Sequence, residues 1–374
     1  MEEIKQREKK GKIASIIGLC LNMFLAILKI VVGLIFGFIS VFADGLNNLT
    51  DCGSSLISFV SFKMSSKPAD KEHPYGHERI EYICSLVVSF LILLIAFELL
   101  KESILKILNL EVLEFSMVII IALTISIAIK FAMFLYYKIV SKKIKSDMLK
   151  AMAIDSFSDC ISTTLVLISL LIGYLTGFNI DGYAGILVSI FIAFAGFKIL
   201  KEMISKLIGQ APDKDIFEGV KERILKYDEI LGIHDLNIYS YGPNKYFASV
   251  HIEIDAKTDS LVAHELIDEI ERDFMDNTNI ILTGHHDPIV IDDDEVVFVR
   301  NEVAKIVAEI NERFSMHDLR MVKGPTKTNV IFDVAIPFDE ILSEDEITNI
   351  LKEKINKINN KYCPVIIIEK QMYI

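Results

Sequence analysis

Two short stretches place oxygen donors at helical spacing inside apolar runs. FADGLNNLTDCGSS sets Asn47 and Asp51 four residues apart, and AIDSFSDCIS sets Asp155 and Asp159 at the same interval. Positions i and i+4 share one face of a helix and stand about 6 Å apart along its axis. If those two faces meet, an amide and three carboxylates converge on one point. Ionisable groups inside a bilayer are unfavourable unless they pair, titrate or hold an ion, so the matched registers favour an ion site over helix packing through protonated acids. Asp44, three residues before Asn47, lies on nearly the same face. It reads equally as an auxiliary ligand or gate and as a solvated acid capping the span. Oxygen donors without imidazole or thiolate suit hard ions such as Mn²⁺, Mg²⁺ or Ca²⁺, whereas zinc and copper usually recruit nitrogen or sulfur. The same carboxylates bind protons, so metal and proton can compete for one site.

Two further groups carry metal-ligating side chains. The loop SSKPADKEHPYGHER spaces Asp70, His73 and His77 at intervals of three and four, with Pro68 and Pro74 restricting the backbone. A merely solvated loop is the competing reading. Farther on, His234, His251, His264, His285 and His286 are five of the chain's eight histidines, and with Asp287 they could converge across a sheet on one or two metals. Lys29 and Lys130 interrupt apolar runs; snorkelling or ordinary helix pairing is favoured for them over partnership with a site carboxylate.

The elements that must position these groups follow from composition. Apolar residues make up 52% of 374 and the mean hydropathy is +0.43, too much for a soluble chain to hide in one core. Six segments of about 20 residues are long enough to cross a hydrocarbon layer. They run approximately over 13–37, 39–62, 80–100, 115–137, 151–175 and 184–204. The first is too long for a signal-peptide core and is read as a retained helix. Basic residues cluster before the first span and in the second and fourth loops, from Lys5 to Lys12, Lys63 to Arg79 and Lys138 to Lys150, while the opposite side offers mainly Lys101 and Lys106. Both termini are therefore expected to be cytoplasmic. Net charge is +3 over residues 1–210 and −15 over 211–374. An acidic second part disfavours nucleic acid and favours small cations. None of the five cysteines has CxxC spacing, so neither a disulfide framework nor a thiolate zinc site is expected.

Beyond Gln210 an internal repeat appears. GIHDLNIYSYGPNKYFASVHIEID and SMHDLRMVKGPTKTNVIFDVAIP align with a period of about 82 residues, matching His234 to His317 and Gly242-Pro243 to Gly324-Pro325. Each copy reads as helix, strand, strand, helix, strand, with Val250, Ile252 and Ile254 alternating toward a covered face. In the second copy His251 is matched by Asp333, His264 by Glu346 and the GHHDP end by an apolar strand. It is therefore expected to have lost most metal binding and to serve packing or dimerisation.

FADGLNNLTD, PADKEHPYGHERIE, AIDSFSD and IHDL…VHIEI…HHDP, in this order, resemble the cation diffusion facilitator family over nearly all of residues 10–290. The resemblance implies a transport site of Asn47, Asp51, Asp155 and Asp159, with Asp70, His73 and His77 as a loop site. It further implies a cytoplasmic binuclear site of His234, His251, His264, His285 and Asp287; His286, beside them in sequence, is an auxiliary candidate. The family resembles a set of homodimeric exchangers that alternate between inward and outward access. Zinc-transporting members commonly carry His at the position of Asn47 or Asp155, so this chain is similar to the manganese-type branch. Typical members stop after one cytoplasmic domain, and the resemblance says little about residues 295–374.

The expected fold is an α-helical membrane protein with six transmembrane helices and two tandem ferredoxin-like α+β cytoplasmic domains. The expected boundaries are a cytoplasmic N-terminal segment 1–12, a transport domain 13–210, a metal-sensing domain 211–292 and a degenerate repeat 293–374. The expected activity is Mn²⁺/H⁺ antiport out of the cytoplasm across the cytoplasmic membrane. Metal is substrate and regulator, no catalytic cofactor is required, and protons, lipid and a second copy of the chain are the other partners. No GxxxxGK[ST] run indicates nucleotide hydrolysis. The rivals are efflux of Zn²⁺, Fe²⁺ or Co²⁺, a membrane-anchored metal sensor without transport, and a passive channel.

Overall fold

The computed structural model describes residues 2–36, 39–108, 117–176 and 181–371. The side chains of some helical residues, Asp44 and Asn47 among them, lie outside this description, as does the expected start of the fourth span at Phe115. The chain forms two compact units, Met1–Gln210 with Tyr241–Asn244, and Ala211–Ser240 with Lys245–Ile374.

The first unit contains the long helices α1 (Glu2–Phe36), α2 (Ile39–Ser65), α3 (Ile80–Leu108), α4 (Met117–Ile144), α5 (Asp147–Thr176) and α6 (Asp181–Ile208). Each overlaps one of the expected apolar spans. Among the described residues, Gln6–Val32, Ile80–Leu105 and Met117–Ile144 are long and apolar enough to cross a membrane. Leu34, Phe97, Leu187 and Phe194 are each at least 66% exposed, while Ser54, Ser55, Ser58 and Ser61 of α2 are buried. That inversion of the water-soluble pattern suits a hydrocarbon solvent, because lipid accepts apolar side chains and small polar residues allow close helix contact. α1 packs chiefly on α2, α3 on α6 and α4 on α5. A Cβ at Gly18 would collide with the Tyr137 hydroxyl, so the α1 and α4 approach requires glycine there.

Polar pairs fasten one end of the helices. Glu81, fully buried at the start of α3, accepts from Arg7 Nη2 and from Ser146 Oγ, both at 2.6 Å. Lys206 pairs with Asp147 at 2.6 Å and Lys150 with Glu202 at 2.8 Å, tying α6 to α5. Buried charge is tolerated only when partnered in this way.

The second unit repeats one pattern twice. Its first copy is α7 (Lys214–Ile224), β1 (Gly232–Gly242), β2 (Lys245–Asp255), α8 (Ser260–Asn277) and β3 (Ile280–Ile289). Its second copy is α9 (Asp294–Ile310), β4 (Ser315–Lys323), β5 (Thr328–Pro337), α10 (Glu344–Ile358) and β6 (Tyr362–Gln371). The sheet orders are β1-β2-β3 and β4-β5-β6, with β2 parallel to β3 and β5 parallel to β6. The helix, strand, strand, helix, strand reading holds in both. Val250, Ile252 and Ile254 are at most 1% exposed and pack on Ile270 and Phe274 of α8, as Val330, Phe332 and Val334 pack on Val303 and Leu351. Each such side chain stabilises the fold by about 1.5–3 kcal/mol, so alternation of apolar residues decides which face is covered. Helix starts are fixed by Asp259, Asp293 and the Ser343 and Glu346 capping box.

Candidate metal centres

In the first unit, α2 and α5 bring Asp51, Asp155 and Asp159 together, with one carboxylate oxygen from each within 4.8 Å of the others. Asp51 and Asp155 are buried and Asp159 is half-buried. The i, i+4 spacing puts both α5 acids on one face, which meets Asp51 midway along α2. Of the expected set, Asn47 and the auxiliary Asp44 lie on α2 but their side chains are outside the described residues.

Lys130 departs from its expected reading. Its Nζ donates to Asp51 Oδ2 at 2.7 Å and to Asp159 Oδ2 at 2.6 Å, and the residue is only 3% exposed. Lys130 sits midway along the 28-residue α4, about 20 Å from either end at 1.5 Å per residue, farther than a lysine stem can snorkel. That distance is legible in the sequence. The result is a group in which one ammonium bridges two of three acids. Lys29 donates instead to Asn48 Oδ1 at 3.0 Å.

The loop between α2 and α3 brings Asp70, His73 and His77 together, again within 4.8 Å. Asp70 Oδ1 accepts the amides of Glu72 at 3.0 Å and His73 at 2.7 Å, folding the loop around its carboxylate. Those amides, that of His73 first, hold the Asp70 carboxyl below its ordinary pKa. His77 is buried, with Nδ1 3.2 Å from the Pro68 carbonyl and Nε2 3.3 Å from Asp70 Oδ2. The Pro68 carbonyl accepts only from a protonated Nδ1, so a metal would take His77 through Nε2, the nitrogen on the Asp70 side.

In the second unit, β2 and β3 pair His251 with His285 and Glu253 with Asp287. Because side chains alternate, these four share the face opposite Val250, Ile252 and Ile254. His234 of β1 joins them: its Nε2 lies 2.8 Å from Asp287 Oδ2, His251 Nδ1 lies 2.9 Å from the same oxygen, and His285 Nε2 lies 3.3 Å from Oδ1. Burial opposes charge on His234, but the Glu253 and Asp287 carboxylates outweigh it and raise its pKa. His264 is not brought to this group. It lines a separate cavity of about 250 Å³ with His286, Asp268 and Glu271 on the α8 side of the sheet. Adjacent strand residues point to opposite faces, so His285 and His286 are necessarily divided.

Beside these stands a group the sequence reading did not assemble. His234, Asp235 and His317 offer ligand atoms within 4.8 Å of one another, joining β1 to β4 of the other repeat. The repeat alignment matched the two histidines but carried no information that they touch.

The cation efflux transmembrane domain matches residues 15–208, and the cation efflux protein cytoplasmic domain matches 212–289. An uncharacterised transporter of Methanocaldococcus jannaschii, MJ0449, is 33% identical over 258 residues, 69% of this chain and 90% of that one. The manganese efflux system proteins MneS and MneP of Bacillus subtilis are each 27% identical, over 71% and 74% of this chain and 90% and 96% of their own. A membrane-anchored sensor finds no support in these matches. With both domains matched in order over most of its length, the chain belongs to the cation efflux, or cation diffusion facilitator, family of membrane-spanning divalent-metal transporters and is not an enzyme.

Proposed function

We propose that this chain exports Mn²⁺ from the cytoplasm in exchange for protons, as a homodimer with six membrane spans and both termini inside. The observation that carries the reading is the all-oxygen group on α2 and α5, in which Asp51, Asp155 and Asp159 reach a common centre without imidazole or thiolate. Carboxylate oxygen suits Mn²⁺ better than Zn²⁺. Two relatives bear manganese efflux in their names, which supports the same ion.

Lys130 gives the exchange a physical form. With its ammonium between Asp51 and Asp159, Lys130 offsets one of the three carboxylate charges and leaves a formal charge of −2 when neither a divalent ion nor protons are bound. An arriving Mn²⁺ supplies the two positive charges that the ammonium does not, and protons take their place once the metal leaves. Such an exchange keeps uncompensated charge out of the bilayer at each stage. The Asp70, His73 and His77 loop captures metal at the cytoplasmic mouth. The His234, His251, His285 and Asp287 group senses cytoplasmic metal.

The test is Mn²⁺ flux in proteoliposomes of the purified protein under an imposed pH gradient, with Zn²⁺ and Fe²⁺ in parallel. Mn²⁺ movement coupled to opposite proton movement supports the reading. Flux without proton counterflow would make the protein a channel, and Zn²⁺ outrunning Mn²⁺ would overturn the choice of ion.

A further inference from the structure

His317 is the histidine of the second repeat that matches His234, and the two meet. Their rings stack at 4.5 Å between centroids with 20° between planes. His317 is 9% exposed, and among the described residues neither of its ring nitrogens has a hydrogen-bond partner. Its Nε2 lies 3.8 Å from Asp235 Oδ1, beyond hydrogen-bond reach. A buried imidazole with both nitrogens idle is unfavourable, because one nitrogen must donate and the other must accept. Here the idle ring is directed at a second imidazole and a carboxylate.

The backbone is shaped for this meeting. Asp235 and Asp318, each directly after its repeat's histidine, both have φ of +52°. Few residues other than glycine adopt that left-handed conformation, and aspartate is one that does. In a regular strand, neighbours such as His234 and Asp235 would face opposite ways; the left-handed residue allows both to offer an atom to one centre. β4 shows the same irregularity as a register shift between His317 and Arg320. From β6, Gln371 Nε2 donates to Asp235 Oδ1 at 2.8 Å, so the second repeat orients the carboxylate. Burial, followed by Asp235 and Asp333, pushes the nearby Glu369 carboxyl up to about 7. Burial and His234 hold His317 below the ordinary histidine value. Positions matched in the repeat thus pair like with like, as residues do across a two-fold axis. Of the first repeat's His234, His251 and His285, only His234 has a histidine counterpart, and that counterpart sits at this junction.

We infer that His234, Asp235 and His317 form a metal site at the junction of the two repeats, taking a first-row divalent ion of borderline softness and fastening the repeats together. Two imidazoles and a carboxylate suit Zn²⁺ or Co²⁺ better than Mg²⁺ or Ca²⁺. Ligand atoms around a tetrahedral ion at about 2.1 Å lie about 3.4 Å apart, so the present spacing of up to 4.8 Å needs at most about 1.4 Å of closure. The site shares only His234 with the His251, His285 and Asp287 group, and filling both at once would place an ion on each of its ring nitrogens, with the ring proton released to solvent. It rests on no step of the transport reading.

The experiment is titration of the full-length, chelator-stripped protein in detergent with Co²⁺, following bound metal and the visible d–d absorption. Compared with the parent, His317→Asn should bind one equivalent fewer, or bind it at least about tenfold more weakly, with loss of the matching absorption. Asp235→Asn should do the same while keeping a residue that accepts the left-handed backbone, which guards against misfolding of the first variant. His251→Asn should remove a different equivalent and leave this one. If both junction variants bind Co²⁺ with the parent's stoichiometry, affinity and spectrum, the site does not exist. Either result is independent of whether Mn²⁺ is transported.

Discussion

The α2 and α5 group and the β1, β2 and β3 group both gather acids around a metal-sized centre, yet they differ in donor and in partner. Asp51, Asp155 and Asp159 offer oxygen alone and have a lysine between them. His234, His251 and His285 surround one carboxylate, Asp287, with imidazoles. A transported ion must be released on the far side, so hard oxygen ligands with a resident cation suit passage. Imidazole ligands hold a borderline ion more firmly, and this suits a sensor.

The contrast can be broken most directly at Asp155. Asp155→Ala should reduce Mn²⁺/H⁺ exchange in proteoliposomes by about 100-fold or more, because one ligand and one charge leave a buried centre. Parental flux from that variant would remove the group's claim to be the transport site. Lys130→Met tests the resident cation. Two acids lose their partner, and the variant should be destabilised by about 3 kcal/mol in thermal melts without metal. Mn²⁺ should restore most of the loss, and a metal-free variant as stable as the parent would contradict the charge-balance account.

Smaller effects sharpen the same contrast. Asp155→His introduces nitrogen into the oxygen group and should shift the ratio of Zn²⁺ to Mn²⁺ flux about tenfold toward zinc. An unchanged ratio would mean that ligand type does not set selectivity. His251→Ala should raise the cytoplasmic Mn²⁺ concentration for half-maximal flux about fivefold, with a much smaller loss of maximal rate than Asp155→Ala gives. A collapse of maximal rate equal to that of Asp155→Ala would place the second unit in the transport step itself.

Local pattern carried a great deal. Apolar runs marked the helices because length and hydropathy are one-dimensional properties, and the alternation at Val250, Ile252 and Ile254 marked a covered sheet face for the same reason. Spacing at i and i+4 put Asp155 and Asp159 on one helix face, and the short Asp70, His73 and His77 loop closed on itself because its contacts are local. His264 was grouped by residue type with histidines that the sheet places on its other face.

By itself, the sequence determined the helices, the duplicated α+β pattern and which carboxylates share a helix face, since each depends on periodicity within one element. Only the tertiary structure decided that Lys130 bridges Asp51 and Asp159, that His264 and His286 part from His251 and His285, and that His317 returns to His234. Those facts depend on which surfaces meet across long stretches of chain. That is settled by the packing of whole helices and sheets, which no local period records.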